Sequence, residues 1–297
     1  MKDLADFIKS KQITAGEVPV ALKVKKHDPN LASNEGVTPL MVASKNGHDD
    51  IVELLLGKNV PINTQDENGV TAIFWASHNE KNVPINTQDK NGVTAVYIAS
   101  RNGHSSVVSI LLCNGADPNL ASNEGATPLM LASQNGHGNI VELLLEKNVP
   151  INTQDKNGVT AVYIASRNGH SSVVSILLCN GADPNLASNE GATPLMLASQ
   201  NGHGDIVKLL LEKNVPINTQ AKSGVTAIFL ASHNGHSSVV SILLYNGANP
   251  NFSSNEGATP LMVASKNGHG DIVELLLEKN VPINTQDKKW TNSRLYC

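Results

Sequence analysis

Ser122–Gln154 reads SNEGATPLMLASQNGHGNIVELLLEKNVPINTQ, and Ser188–Gln220 repeats it with only Asp205 for Asn139 and Lys208 for Glu142. The period is 33 residues, and Ser254–Gln286 carries the block a third time. A self-similar unit of this length cannot bury its apolar face alone, so copies must stack into a quasi-one-dimensional array. Between these blocks lie units of a second type, beginning at Asp89, Asp155 and Ala221, so the full sequence period is two units.

Within Ser122–Gln154 the local signals predict two short helices. Thr127-Pro128 is a helix start: the threonine oxygen can cap orphan N–H groups and proline suits the first turn. Leu129 and Ala132 then share a face, and small Ala132 and Ser133 allow a neighbouring helix to approach. Gly136 supplies the left-handed residue that ends the first helix. Ile140, Val141, Leu143, Leu144 and Leu145 make the apolar stripe of the second, which Asn148 can end and Pro150 prevents from continuing. The segment INTQDKNG, residues 151–158, reads as a loop with a tight tip. Isolated helices this short are marginal in water, so the fold depends on pair stacking on pair.

The run of Gly, Thr-Pro-Leu, Ala, Gly-His, Ile-Val and Leu-Leu-Leu on a 33-residue period closely resembles the ankyrin repeat. Seven full units start at Ser33, Asp89, Ser122, Asp155, Ser188, Ala221 and Ser254, giving an array over residues 33–286. The resemblance implies an all-α solenoid of antiparallel helix pairs with β-hairpin-like fingers, acting as a protein-binding surface. Two departures stand out. The histidine usual after Thr-Pro-Leu is replaced by Met41, Met130, Met196 and Met262, or by Phe74, Tyr97, Tyr163 and Phe229. Any bonds between repeats through that histidine are therefore expected to be absent. The second alanine of the family's Ala-Ala pair is serine, as in Ala132-Ser133.

Outside the full units, residues 1–32 read as a degenerate capping repeat with its lysines on the wet side, and 287–297 as an incomplete unit. The unit at 66–88 lacks its Gly-His and second helix, which reads as a deletion or as a hinge. The apolar flank of the last full unit is expected to be exposed unless something covers it. The chain is otherwise expected to be monomeric.

Bulk properties point the same way. Charged residues are 16% and the formal net charge is −4, which gives no general attraction to nucleic acid or membranes. No apolar run approaches the roughly 18 residues that a membrane span requires. The opening MKDLADFIKSKQ has no apolar core, so it is not expected to act as a signal peptide. Three cysteines make no disulfide framework, and Cys113 and Cys179 are expected as free thiols in a cytoplasmic protein.

Chemistry is mostly excluded by the repetition. His48, His104, His137, His170, His203, His236 and His269 each follow a glycine, so stacking spreads them about 10 Å apart. A zinc ion needs its nitrogens at about 2.0–2.1 Å, so they cannot share one, and a structural role at the interhelix turn is expected. Catalysis needs different groups converging in a pocket, whereas here the same groups recur along a line. No enzyme activity, cofactor or metal is expected. The loop asparagines Asn119, Asn152, Asn185 and Asn218 stand where some ankyrin-repeat proteins resemble substrates for asparagine hydroxylation. Holding the loop by side-chain to backbone bonds is the competing role.

If the ankyrin layout holds, fingertips and first-helix ends face a partner protein. The candidate residues alternate in character from one unit to the next. One set is Lys90, Asn91 and Arg101, then Lys156, Asn157 and Arg167, then Lys222 and His233. The other is Asn123, Glu124 and Gln134, then Asn189, Glu190 and Gln200. Such opposed stripes would guide encounter and specificity more than raw affinity.

Overall fold

The computed structural model describes residues 86, 88, 91–113 and 115–283. The capping unit at 1–32, most of the short unit at 66–88, the incomplete unit at 287–297 and the candidate Lys90 lie outside the described residues. The chain divides into two compact halves, Met1–Pro150 and Ile151–Cys297.

In the N-terminal half, α1 (Ala95–Asn102) pairs with α2 (Ser105–Cys113), and α3 (Pro128–Gln134) with α4 (Gly138–Leu145). First helix packs on first helix and second on second, α1 against α3 and α2 against α4. The C-terminal half continues the scheme with four pairs. They are α5 (Ala161–Asn168) with α6 (Ser171–Cys179), α7 (Pro194–Gln200) with α8 (Gly204–Leu211), α9 (Ala227–Asn234) with α10 (Ser237–Tyr245), and α11 (Pro260–Lys266) with α12 (Gly270–Leu277). Each pair stacks on the next, first helices packing in the order α5, α7, α9, α11 and second helices in the order α6, α8, α10, α12. The described fold is all-α.

The helix starts form as their sequence predicts. Thr127, at φ −98°, accepts a hydrogen bond from the Met130 N–H through its side chain, and Pro128 occupies the first turn. Thr160, Thr193, Thr226 and Thr259 cap their helices the same way. Shortly after α4, α8 and α12 the chain passes through Asn148, Asn214 and Asn280 at φ of 53–55°, the left-handed state that asparagine tolerates better than most residues; after α6 and α10 Gly181 and Gly247 take it.

The core runs along the stacking direction. Leu129, Met130, Ala132 and Ser133 of α3, and Ile140, Val141 and Leu144 of α4, are buried. Leu143 and Leu145 are half-buried, so the second-helix stripe is narrower than the sequence suggests. Of the methionines that replace the family histidine, Met130 and Met196 are core residues, each 1% exposed, and Met262 is half-buried.

The fingers differ from the expected hairpins. Among the described residues they contain no strand. Each is a tight turn: the Ser122 N–H donates to the Ala126 carbonyl at 2.9 Å, and the Gly125 N–H donates to the Ser122 carbonyl at 2.8 Å. One such pair of bonds is too short a run to propagate a ladder.

Candidate functional site

Two rows of backbone positions run along each half and fix the candidate residues. The first is made of fingertips. In the C-terminal half the Asn189 N–H donates to the Asn157 carbonyl at 2.8 Å, the Lys222 N–H to the Glu190 carbonyl at 2.9 Å, and the Asn255 N–H to the Ser223 carbonyl at 2.9 Å. The Asn189 and Asn255 side-chain amides add bonds to the Lys156 and Lys222 carbonyls at 2.8 and 2.7 Å. In the N-terminal half the Asn123 N–H donates to the Asn91 carbonyl at 2.7 Å. Tip is thus tied to tip.

The second row is made of first-helix ends. The Arg167 carbonyl accepts two bonds from the next repeat, from the Asn201 amide at 3.0 Å and from His203 Nε2 at 3.2 Å. Gln200 receives Asn234 at 3.0 Å and His236 at 2.9 Å, and His233 receives Asn267 at 2.7 Å and His269 at 3.2 Å. In the N-terminal half His137 reaches the Arg101 carbonyl at 3.2 Å. A carbonyl can only accept, so Nε2 carries the proton in each case. The repeats are therefore joined by a histidine after all, the one that follows glycine rather than the one the family places after Thr-Pro-Leu. The orphan carbonyls at a helix C-terminus are satisfied by the neighbouring unit.

A third set of bonds crosses the loops. The Asp183 N–H donates to Asn152 Oδ1 at 2.8 Å, and the Asn249 N–H to Asn218 Oδ1 at 2.8 Å. The Gln154 amide donates to the carbonyls of Gly158 and Ala187 at 2.7 and 3.1 Å, and Gln220 does the same to Gly224 and Ser253. Asn185 stands in the same register as Asn152 and Asn218, but the residue 31 positions on is Pro216, which has no N–H to give. At Asn185 the local bond is a turn closed by Asp183, whose carboxylate accepts from the Asn185 N–H at 2.9 Å; Asn119 has the same turn with Asp117.

With the backbones so fixed, the described candidates sort by what their side chains do. Asn91, Asn123, Glu124, Gln134, Lys156 and Asn157 are exposed, as are Arg101, Arg167, Asn189, Glu190, Gln200, Lys222 and His233. The Asn189 side chain is committed to the neighbouring fingertip, and His233 Nδ1 donates to Asn234 Oδ1 at 3.1 Å. Arg101, Asn157, Arg167, Glu190, Gln200 and Lys222 make no side-chain hydrogen bond or ion pair with a described residue. Sequence reasoning passed over Asn255, Glu256 and Lys266, which continue both rows and are exposed. Their 66-residue offset from Asn189, Glu190 and Gln200 was the available signal.

Among the described residues no first helix carries an acidic residue in its first turn, and α1, α5 and α11 carry Arg101, Arg167 and Lys266 in their last turns. The second helices carry Glu142, Asp205, Asp271 and Glu274, with Lys208 3.7 Å from Asp205 in α8. The bond that Ser237 makes to Asp271 holds that carboxyl below its ordinary range. Between α2 and α4 lies an open groove of about 420 Å³ lined by serines, Asn139, Leu143, Glu142 and Glu146. Its lining contains no histidine or cysteine.

A family model of ankyrin repeats, three copies long, matches residues 15–85, 81–155, 147–221 and 214–287. The chain is an ankyrin-repeat protein. Ankyrin repeats generally mediate contacts between proteins and are typically non-enzymatic. Among the described residues of this ankyrin-repeat chain, no helix is long and apolar enough to cross a membrane.

Proposed function

We propose that the protein is a non-enzymatic binding scaffold or adaptor that takes another protein along its fingertip and helix-end rows. One observation carries this reading: exposed Arg101, Arg167, Glu190 and Lys222 project from backbones that neighbouring repeats hold in place. A backbone fixed before contact loses little freedom on association, which leaves only the side chains to be ordered. The asparagines of the candidate set act mainly as braces, and the charged side chains make the contact. A reducing cellular compartment suits the exposed thiols Cys113 and Cys179.

The test is affinity capture from native lysate with mass spectrometry. The intact chain is compared with one carrying Lys90→Ser, Arg101→Ser, Lys156→Ser and Arg167→Ser, both verified as folded by circular dichroism. A partner held by the first and lost by the second is the expected result. Equal recovery would remove these rows as the binding site and leave an array whose length, rather than its surface, is its use.

A further inference from the structure

The loop edge of the C-terminal half is tied at one junction and untied at the next. Between repeats 188–220 and 221–253, Asn218 Oδ1 accepts from the Asn249 N–H at 2.8 Å, and the Asn218 amide reaches the Gly247 carbonyl at 3.4 Å. The Gln220 amide adds a bond to the Ser253 carbonyl at 3.4 Å. Between repeats 155–187 and 188–220 no hydrogen bond or ion pair crosses from residues 182–187 to residues 215–220. Pro216 stands where the donor would be, and the Asn185 side chain bonds nothing. A cavity of about 70 Å³ lies within this junction, lined by Pro184, Asn185, Leu195, Val215, Pro216 and Thr219 among others.

The tips reverse the pattern. At the proline junction Asn189 bonds twice, its N–H to the Asn157 carbonyl and its amide to the Lys156 carbonyl, both at 2.8 Å. At the tied junction the Lys222 N–H alone crosses, to the Glu190 carbonyl at 2.9 Å. The first-helix ends are bridged alike at both, by Asn201 and His203 to Arg167 and by Asn234 and His236 to Gln200. The next junction repeats the proline type: Asn255 bonds the Ser223 and Lys222 carbonyls, and Pro282 stands 31 positions after Asn251.

We propose that the C-terminal half flexes at its proline junctions, the loop edges of repeats 155–187 and 188–220 parting and reclosing while the doubly bonded Asn189 tip holds as the pivot. One net hydrogen bond shifts such an equilibrium by about two- to tenfold. The loop bonds around Asn218 should therefore suppress opening by about tenfold relative to the junction that lacks them. As the edges part, water entering the cavity meets the Asn185 amide, and Leu195 and Val215 are the apolar surface uncovered. The array can then change curvature without breaking its row of tips.

Two cysteine probes test this in a full chain carrying Cys113→Ser, Cys179→Ser and Cys297→Ser. Val215→Cys reports on the proline junction, and Ala248→Cys occupies the same register one repeat on. The parent side chains are comparably buried, at 8% and 6% exposed. Each variant is verified as folded by circular dichroism, and its labelling by a water-soluble maleimide is timed against the same chain unfolded in urea. Val215→Cys should react about tenfold faster than Ala248→Cys. Adding Asn218→Ala should bring Ala248→Cys to within about twofold of it. Equal rates for the two probes, or no response of Ala248→Cys to Asn218→Ala, would overturn the proposal. Hydrogen exchange followed by NMR on the unsubstituted chain checks the pivot, where the Asn189 amide should exchange no faster than that of Lys222. Faster exchange at Asn189 would mean that the whole junction separates, and the hinge would be refuted.

Discussion

At Gly169 the backbone sits at φ +83°, and a Cβ there would come within 2.7 Å of the His203 ring. The same ring reaches past the glycine to the Arg167 carbonyl. Gly181 has a similar φ of +88° but nothing within 4 Å. Gly181→Ala should therefore cost only the left-handed penalty, about 1–2 kcal/mol, and Gly169→Ala distinctly more, because the imidazole must also be displaced. Urea unfolding of the two variants checks the order, and equal losses would mean that the ring moves aside freely. Part of this was legible in the sequence. The Gly-His recurrence announced a helix end and a structural histidine. It did not say that the ring crosses to the neighbouring repeat, because that partner lies 36 residues away and is a backbone carbonyl with no sequence signature.

Among the elements, the loops separate residues that the sequence treats as equivalent. Asn152 and Asn185 share a register, yet only Asn152 has an N–H waiting in the next repeat. Asn152→Ala removes the acceptor of the Asp183 N–H, an exposed bond that water can partly replace, and should cost about 0.5–1.5 kcal/mol. Asn185→Ala should lie within about 0.5 kcal/mol of the parent, since its turn is closed by the Asp183 carboxylate and its own backbone. Chemical denaturation of the pair decides the matter, and matched losses would refute the assignment. The helices were largely readable from Thr-Pro starts, apolar spacing and Asn-Gly ends, because those signals are local. The fingers were less so: a resemblance to hairpins carried over the family's outline, whereas the bonds here run from tip to tip across repeats.

For the molecule as a whole, the serines in the last turns of the first helices are an uncompensated cost among the described residues. Ser100, Ser133, Ser166, Ser199 and Ser232 are fully buried, and their hydroxyls have no hydrogen-bond partner. An unpaired buried hydroxyl costs about 1–3 kcal/mol, and alanine in its place removes the group without opening a large void. Each Ser→Ala change should stabilise the chain by about 1 kcal/mol. Ser166 and Ser232 lie in repeats separated by a third, so these two changes together should raise the unfolding midpoint nearly additively, since repeats contact only their neighbours. A fall in the midpoint would show that the hydroxyls are satisfied. The alternating loop bonds have another consequence, for how such a gene can change length. Excising residues 155–187 would set Asn152 against Pro216 and Gln154 against Gln220, losing the N–H that Asn152 accepts. Excising 155–220 would set them against Asn249 and Ser253, the partners that Asn218 and Gln220 already hold. Recombination between copies therefore heals cleanly only in steps of two repeats, and descendants of this array should differ from it by an even number.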